Sequence, residues 1–381
     1  MSAAPDGRIA VVGGGVIGCE VAAELAPDHD VVLFEADRIA GGATGRSAGL
    51  VTVEPAFSDA LSVADRAMAG FDTLDEAGHV TFHRTPSLEP VPGDEADLAR
   101  RRLDRLQEAA VSVEWLDPET VEAHHPLSFD GYAGALRFER AGWVDSHALT
   151  DAYRRTAEEA GATLDVGTAV QDVVVADGTV VAVETDDGTR RCDGVVVAAG
   201  WATPQLVTPL VDLPVRPYRT QCVRIKGLAE VENCPMAWVP TRDCYFRPDL
   251  DGLLVGGLPS FVDDPAAASR AEDAAFRRHV AAVLEEVIAV EGPLRLADGW
   301  AGVDLATPDG RPIVDAPAEA PAGLVVATGF HGRGIMTAPV VGAIVRERLG
   351  DRSTDLPTAP FRADRFGSVP DEFAVPGIGD G

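Results

Sequence analysis

A glycine-rich turn close to the start of the chain constrains the fold more than any other feature. A short apolar run, residues 8–12, leads into Gly-Gly-Gly-Val-Ile-Gly at 13–18, and an apolar, Ala-rich stretch follows to residue 26. A second apolar run then ends in Glu35, 17 residues beyond the last glycine of the turn. Strand, glycine turn, helix and strand in this order predict a βαβ unit that binds a dinucleotide.

Each residue of the turn has a physical reason to be there. Gly13 allows the tight turn, Gly15 lets the backbone approach a pyrophosphate, and Gly18 lets the helix pack closely on the strand. Val16 and Ile17 open the helix, whose N-terminus presents N–H groups and a partial positive charge to phosphates. We therefore predict that these five residues belong to the cofactor site.

The acid at the end of the second strand narrows the choice of dinucleotide. Glu35, with Ala36 beside it, is placed to accept hydrogen bonds from both ribose hydroxyls, and a carboxylate there disfavours the 2′-phosphate of NADP. The alternative is a Gly-rich turn in an α/β protein that binds no nucleotide. That alternative gives no reason for an acid at this spacing, so a dinucleotide is the leading ligand.

The segment after the second strand identifies the dinucleotide by resemblance. Residues 41–50 read Gly-Gly-Ala-Thr-Gly-Arg-Ser-Ala-Gly-Leu and supply small residues, hydroxyls and an arginine. They resemble the second pyrophosphate and flavin-approach loop of the D-amino-acid-oxidase-like family, the FAD-dependent amine oxidoreductases that include glycine oxidase and sarcosine oxidase. The resemblance implies FAD as the cofactor. The residues that it implies here are Ala43, Thr44, Arg46, Ser47, Ala48, Gly49 and Leu50.

Later segments repeat the resemblance in the family's order. The turn-rich run 169–199 predicts a β-meander and a buried strand that ends in Ala-Ala-Gly-Trp at 198–201. Further on come Trp-Ala-Gly and Thr-Pro-Asp-Gly-Arg-Pro within 300–312, and then a strand, a second glycine turn at 329–334 and a helix. The resemblance implies that this turn wraps the isoalloxazine, with the helix N-terminus at its N1/C2 edge. The cofactor residues implied are Val170, Ala199, Gly200, Trp201, Gly329, His331, Gly332, Arg333, Gly334, Ile335 and Met336; considered alone, Val170 has the pattern of a core valine.

The segments between these motifs predict a second, discontinuous domain. The fold class is α/β, a Rossmann-like FAD-binding domain with a substrate domain of antiparallel sheet and helices that roofs the flavin in the family. We assign 1–77, 141–210 and 299–360 to the FAD-binding domain, 78–140 and 211–298 to the substrate domain, and 361–381 to a C-terminal tail. Helices are predicted at 95–110 and 265–290. The Gly, Pro and Asp content of the tail is typical of a mobile segment.

Three residues are predicted to act on the substrate, namely Tyr245, Arg333 and Arg247. Tyr245 matches the tyrosine that contacts the substrate in glycine oxidase; the alternative is a half-buried strand tyrosine with its hydroxyl in water. Arg333, Arg247 and also Arg46 are candidate partners of a substrate carboxylate, because a guanidinium makes fork contacts with it. For Arg46 and Arg247 the alternative is a solvated surface arginine.

Four positions depart from relatives within the family. Asp304 stands where glycine oxidase-like members carry an arginine, and in this it is closer to the sarcosine oxidase β-subunit and L-proline dehydrogenase type. Met336 and Gly302 replace a lysine and the flavin-attaching cysteine of monomeric sarcosine oxidase, so we expect non-covalent FAD. The oxygen-activating lysine would fall near Leu254. Without that fixed positive charge, a dehydrogenase is favoured over an oxidase.

The sequence therefore predicts an enzyme that oxidises the C–N bond of an amino acid or secondary amine of the glycine, sarcosine, proline or D-amino acid type. FAD would accept the hydride at N5, and an imine would form. Two alternatives stay open: a 2-hydroxy acid dehydrogenase of the same fold, and a non-catalytic electron-transfer FAD subunit. The expected partners are a small amine or amino acid and an unidentified electron acceptor, with a homo-oligomer or an electron-transfer protein as further alternatives.

The charge of the chain argues against two classes of partner. Its 61 acidic and 32 basic residues, of which only Lys226 is a lysine, give a net charge of −29. Such a surface repels nucleic acid and anionic lipid, and it is typical of a halophilic protein that stays soluble in concentrated salt. Five cysteines without a CxxC pair favour a reducing compartment and argue against a metal site. No run of membrane length and no signal peptide pattern is evident, so we expect a cytoplasmic location.

Overall fold

The structure, a computed structural model, describes residues 7–227, 233–250, 252–289, 295–367 and 373–375. The strands are β1 Arg8–Val12, β2 Asp30–Glu35, β3 Leu50–Val51, β4 His83–Arg84, β5 Ser87–Pro92, β6 Val113–Leu116, β7 Tyr132–Phe138, β8 Gly142–Trp143, β9 Thr163–Val166, β10 Val170–Ala176, β11 Thr179–Thr185, β12 Gly188–Arg191, β13 Gly194–Val197, β14 Arg216–Lys226, β15 Met236–Val239, β16 Cys244–Asp249, β17 Gly252–Phe261, β18 Arg295–Ala306, β19 Ile313–Asp315 and β20 Leu324–Thr328. The α-helices are α1 Val16–Leu25, α2 Val53–Ala56, α3 Leu61–Glu76, α4 Ala96–Glu108, α5 Pro118–His124, α6 Ser146–Glu159, α7 Thr203–Val207, α8 Ala274–Val287 and α9 Gly334–Arg348.

One six-stranded sheet carries the predicted βαβ unit, in the order β19-β20-β13-β1-β2-β9. Its neighbouring strands are parallel except for the β19 and β20 pair. The central strands are almost wholly apolar because both faces are covered. Helices α1, α3, α6 and α9 share the core on one face, while the antiparallel meander β10-β11-β12 and α7 share it on the other. The parallel strands end at one edge, where the glycine turns after β1 and β20 meet.

A second, eight-stranded sheet follows the order β18-β14-β17-β16-β15-β5-β7-β6. All of its neighbouring pairs are antiparallel except β15 with β5. Helices α5 and α8 cover one part of it through an apolar core, and α4 covers another. The α/β fold class, with a Rossmann-like layer and an antiparallel sheet covered by helices, is confirmed.

One strand crosses a predicted domain boundary, and one predicted helix is shorter in the structure. Strand β18 runs through the boundary placed between residues 298 and 299, and it pairs with β14 along its length. The helix predicted at 265–290 begins only at residue 274, because the Asp273 carboxylate caps it by accepting the N–H of Phe276. The helix ends at Val287, and the next residue, Ile288, forms an isolated β-bridge with Leu127. Residue 290 lies outside the described residues, and the division into domains otherwise stays a prediction.

The first part of the predicted tail is packed on the protein. Phe361 is fully buried, and its ring stacks on Phe57 at 5.5 Å between centroids. Arg365 donates to Asp309 at 2.8 Å. The prediction of a mobile tail from residue 361 is therefore wrong for these residues, while 368–372 and 376–381 lie outside the described part. Within the described ranges, no helix combines the length and the apolar character needed to cross a membrane.

Candidate active site

A cavity of about 820 Å³ lies between the two sheets. On one side it is lined by the segments that follow β1, β2, β13 and β20, and on the other by β14, β16 and β18. Ligands of open parallel sheets bind at this carboxyl edge. The predicted site residues that line the cavity are Gly13, Gly15, Val16, Ile17, Glu35, Ala36, Ala43, Thr44, Arg46, Ser47, Ala48, Leu50, Val170, Ala199, Gly200, Trp201, Tyr245, Gly329, Gly332, Gly334, Ile335 and Met336.

Four predicted cofactor residues, namely Gly18, Gly49, His331 and Arg333, do not line the cavity. A Cβ on Gly18 would stand 1.8 Å from the carbonyl oxygen of Gly13, so Gly18 permits close packing of α1 on the turn. Gly49 has a φ of +72° and would bring a Cβ within 1.9 Å of the Val144 carbonyl oxygen. His331 is fully buried, with its ring 5.0 Å from that of Tyr218. These residues shape the cavity wall from outside.

Two of the three residues predicted to act on the substrate do not line the cavity. Arg247 is buried and donates to the carbonyl oxygens of Ala48 and Pro248, both at 2.6 Å, while its guanidinium lies over Trp143. Arg333 is buried and donates to the carbonyl oxygen of Gly310. Neither guanidinium therefore stands where a substrate carboxylate in this cavity would meet it. Arg247 is not the solvated arginine of the alternative either, because it anchors the 41–50 loop through Ala48.

The turn after β1 forms a cradle of backbone groups. Gly13 has a φ of +112°, and a Cβ there would lie 2.4 Å from the carbonyl oxygen of Ala198. Helix α1 then begins at Val16. Its N-cap is Gly15, which has no side chain that could accept the first N–H groups of the helix. The hydroxyl of Thr44 accepts the N–H of Val16 at 3.2 Å, which ties the 41–50 loop to the helix start.

Glu35 closes the other end of this cradle. Its two carboxylate oxygens accept the N–H groups of Gly14 at 2.7 Å and Asp37 at 2.9 Å. Each oxygen keeps a free lone pair for a further donor. The side chain is therefore held in place at the cavity edge before any ligand arrives.

The cradle fits FAD by the chemistry of its groups. N–H groups at a glycine turn and a helix N-terminus suit a diphosphate, and a fixed carboxylate suits ribose hydroxyls. At Gly13 a Cβ would collide with the backbone of Ala198, directly after β13, and the positive φ of this residue also favours glycine. The residues around Gly13, Gly15, Thr44 and Glu35 would hold the dinucleotide.

The opposite wall is a stripe of cross-strand pairs, here called the roof face. Residues of β14 lie directly opposite residues of β18 and share one side of the sheet with them. The pairs are Tyr218 with Asp304, Thr220 with Gly302, and Cys222 with Trp300. Tyr245 on β16 adjoins the stripe, its hydroxyl 3.5 Å from the Cys222 Sγ.

Tyr245 is the one predicted substrate residue that lines the cavity. It is buried rather than half exposed, and burial raises the pKa of its hydroxyl well above the ordinary value. The phenol therefore stays protonated at neutral pH and available as a donor. Its role toward substrate stays a prediction.

Asp304 is the acid of the roof face. Its Oδ1 accepts the N–H of Leu305 and its Oδ2 accepts the N–H of Gly332, each at 2.8 Å. Burial raises the pKa of this carboxyl, while the two N–H groups act in the opposite direction. The bond to Gly332 fixes the turn before α9 to the roof.

Several residues that line the cavity were not among those predicted from the sequence. Arg270 is one, a cation whose pKa is lowered by burial and by the nearby Arg46 guanidinium. It lies in the irregular segment before α8, where no periodic pattern marked it. Tyr218 and Thr220 also line the cavity, and their alternation along β14 was a signal available in the sequence. The remaining omissions are Val12, Gly14, Phe34, Asp37, Gly41, Gly42, Thr52, Gln171, Ala198, Ala202, Gln205, Leu206, Gly302, Val303, Asp304, Ala327, Thr328 and Phe330.

Comparison with known proteins places the chain among flavoproteins. The family model of FAD-dependent oxidoreductases matches residues 8–348. The 4-methylaminobutanoate oxidase (formaldehyde-forming) of Paenarthrobacter nicotinovorans is 28% identical over 94% of this chain, which spans only 45% of that protein's length. The glycine oxidase of Geobacillus kaustophilus (strain HTA426) is also 28% identical, over 94% of this chain and 96% of the relative.

A solved structure extends the likeness to the whole fold. The L-proline dehydrogenase of P. horikoshii superposes with a TM-score of 0.86 at 24% identity, covering 96% of this chain and 99% of that one. Because the family model covers most of the sequence and the cradle has the groups that the cofactor needs, this chain belongs to the FAD-dependent oxidoreductase family and uses FAD.

Proposed function

We propose that this protein oxidises the C–N bond of an amino acid or a secondary amine. FAD, when bound, supplies the hydride acceptor for such a reaction. The observation that carries the proposal is the cavity itself, in which a dinucleotide cradle faces a roof bearing Tyr245 and Asp304. Three relatives are named for nitrogen-containing substrates, namely 4-methylaminobutanoate, glycine and L-proline, which supports an amine.

The chain's own groups have defined tasks in this proposal. The first turn of α9 presents N–H groups at the cavity through Gly334, Ile335 and Met336, and the N-terminal end of a helix stabilises negative charge. Tyr245 donates to the substrate from the roof. The turn 329–334, held by Asp304, keeps that helix end in place.

We further propose that electrons leave to an acceptor other than oxygen. Leu254, near the position of the oxygen-activating lysine, is buried in an apolar cluster with Ala48 and Cys222. No lysine lines the cavity in the described ranges, and its cations there are Arg46 and Arg270. A fixed positive charge at Leu254 is thus missing, which supports a dehydrogenase.

The surroundings in which the enzyme works are part of the proposal. All five cysteines are free and buried, which is compatible with a reducing, cytoplasmic compartment. The net charge of −29 supports function at high salt and argues against nucleic acid as a partner. The electron acceptor would be a separate carrier or a partner protein.

A steady-state assay tests this function. The purified holoenzyme is given glycine, sarcosine, L-proline, D-amino acids or 2-hydroxy acids, with either an artificial electron-accepting dye or dissolved oxygen. We expect turnover with at least one amine, and faster turnover with the dye than with oxygen. Turnover confined to 2-hydroxy acids would contradict the amine proposal, and equal rates with oxygen would contradict the dehydrogenase assignment.

A further inference from the structure

The carboxylate of Asp304 faces a ligand cavity without a cation to balance it. Both of its oxygens already accept one backbone N–H, from Leu305 and Gly332. Each oxygen retains a lone pair for another donor. Across the described ranges no arginine, lysine or histidine forms an ion pair with it.

The groups around Asp304 leave the cavity side open. Its cross-strand neighbour Tyr218 is buried and contributes a neutral phenol, whose pKa burial raises well above the ordinary value. Two residues along β18, Gly302 has no side chain, and a Cβ there would meet only Arg46, at 3.4 Å. The Arg46 guanidinium donates to the carbonyl oxygens of Gly41 and Gly42.

The other cations near this wall are engaged elsewhere. Arg333, which lies close enough to lower the pKa of Tyr218, donates to the carbonyl oxygen of Gly310. His331 packs against the Tyr218 ring. Arg270 lines the cavity beside Trp201, 6.0 Å from that ring's centroid. Among the residues that the structure describes, the carboxylate of Asp304 therefore has backbone donors but no counter-ion in the cavity wall.

The Asp304 side chain is only partly exposed, and a carboxylate withdrawn from water is costly unless a positive group pairs with it. We propose that the counter-ion is the substrate itself, and that Asp304 binds its protonated amino group and accepts the proton that the amine must lose before a hydride can leave the neighbouring carbon. This inference rests on the proposed function and deepens it, because it names the feature of the substrate that the roof recognises. A cationic primary or secondary amine is accepted, and a carboxylate placed at the same point is repelled.

A substrate can in this way be bound without an arginine at the position of Asp304. An amine is recognised through its nitrogen, so a substrate carboxylate is not required at this point. A 2-hydroxy acid has no cationic nitrogen, and Asp304 disfavours it. Discrimination between amines and 2-hydroxy acids then depends on Asp304.

Two probes of the same shape test the inference without turnover. tert-Butylamine and pivalate each carry three methyl groups on a carbon that has no hydrogen to lose, and they differ in the charge of the remaining group. Binding to the wild-type holoenzyme is measured by isothermal titration calorimetry. We expect the amine to bind at least about tenfold more tightly than pivalate. Tighter binding of pivalate, or no binding of the amine, would overturn the inference.

Variants of Asp304 then assign the effect to this residue. Asp304→Asn is expected to weaken tert-butylamine binding by about tenfold or more, whereas Asp304→Glu, which keeps the charge, loses less. Asp298→Asn is the matched control, because it removes the same charge from the same strand at an exposed position outside the cavity. FAD content and melting temperature confirm that each variant is folded. An Asp304→Asn holoenzyme with wild-type amine affinity would overturn the inference.

The two proposals fail in different ways. Flavin reduction by amines together with unchanged amine binding in Asp304→Asn would leave the proposed function intact and remove the role of Asp304. Tight, Asp304-dependent amine binding without flavin reduction by any amine would leave the recognition site intact and remove the proposed reaction.

Discussion

A buried acid, Glu20 in α1, makes the stability of the protein depend on pH. Its Oε2 accepts the N–H of Gly342 in α9 at 2.8 Å. Burial, and then the nearby Glu24 carboxylate, raise the pKa of Glu20 well above its ordinary value. The folded state therefore binds a proton that the unfolded state releases. The contribution of Glu20 to the free energy of unfolding is complete at a pH below the pKa that this group has in the unfolded chain. It is lost as the pH rises through the higher pKa that the group has in the folded protein.

Replacing Glu20 by glutamine should remove this dependence. The amide oxygen can still accept from Gly342, and no charge has to be buried. We expect Glu20→Gln to raise the free energy of unfolding by roughly 1 kcal/mol at mildly alkaline pH, and by less at mildly acidic pH. Urea unfolding of the apoprotein at the two pH values measures the difference. A gain that is larger on the acidic side would show that the sign is wrong.

At the residue scale, most of the predicted positions that a backbone motif fixes line the cavity. Gly13, Gly15 and Glu35 line the cavity because turn and strand geometry place them there. Arg247 and Arg333 do not, because a long flexible side chain can turn toward any nearby carbonyl, and the sequence does not say which. Arg270 was not predicted because it lies in an irregular segment, and only tertiary packing brings that segment to the cavity.

At the scale of elements, the contact between β1 and α1 depends on Gly18. A methyl group there would stand 1.8 Å from the Gly13 carbonyl oxygen, a backbone atom that cannot turn aside. We expect Gly18→Ala to lower the free energy of unfolding by about 2–4 kcal/mol and to reduce the FAD content. Thermal unfolding of the apoprotein and the flavin absorbance of the purified protein measure the two effects.

Gly42→Ala is the matched control for this substitution. Gly42 is in the neighbouring cofactor loop, but a Cβ there meets nothing within 4 Å. We expect the stability of its apoprotein to change by no more than about 0.5 kcal/mol. Equal losses in the two variants would mean that close helix packing is not what Gly18 provides.

The order of elements was predictable, but their ends were not. Strand and helix periodicity and turn residues located the βαβ unit, the meander and the second glycine turn. The start of α8 depended on a capping bond from Asp273 to Phe276, which overruled a continuous Ala-rich pattern from residue 265. Strand β18 runs through the predicted boundary between residues 298 and 299. Its length depends on pairing with β14, which lies far away in the sequence. Such long-range pairing leaves no local signal.

At the scale of the whole molecule, the charge of −29 sets the dependence on salt. Raising the ionic strength from about 0.1 M to about 1 M shortens the Debye length from about 10 Å to about 3 Å, which screens repulsion between surface carboxylates. We expect the urea midpoint to rise steadily with KCl over this range. Urea is the denaturant of choice because it does not itself change the ionic strength. Full stability and activity without added salt would contradict the prediction of a halophilic protein.

This negatively charged protein has to bind a dinucleotide that carries two phosphates. The favourable field is local, from the N-terminal ends of α1 and α9 and from Arg46 and Arg270 at the cavity. Asp304 opposes it on the roof face, at the point where the inference places a cationic substrate. The cavity is thus divided into a wall that suits phosphate and a wall that suits an amine.

The most direct test of the account is anaerobic reduction of the bound flavin. The holoenzyme is mixed, without any electron acceptor, with an excess of sarcosine, glycine, L-proline or a D-amino acid, and the absorbance of oxidised flavin is followed. We expect at least one of these amines to abolish that absorbance, with one equivalent of a carbonyl product released after the imine hydrolyses. Flavin that every amine leaves oxidised, while a 2-hydroxy acid reduces it, would contradict the account.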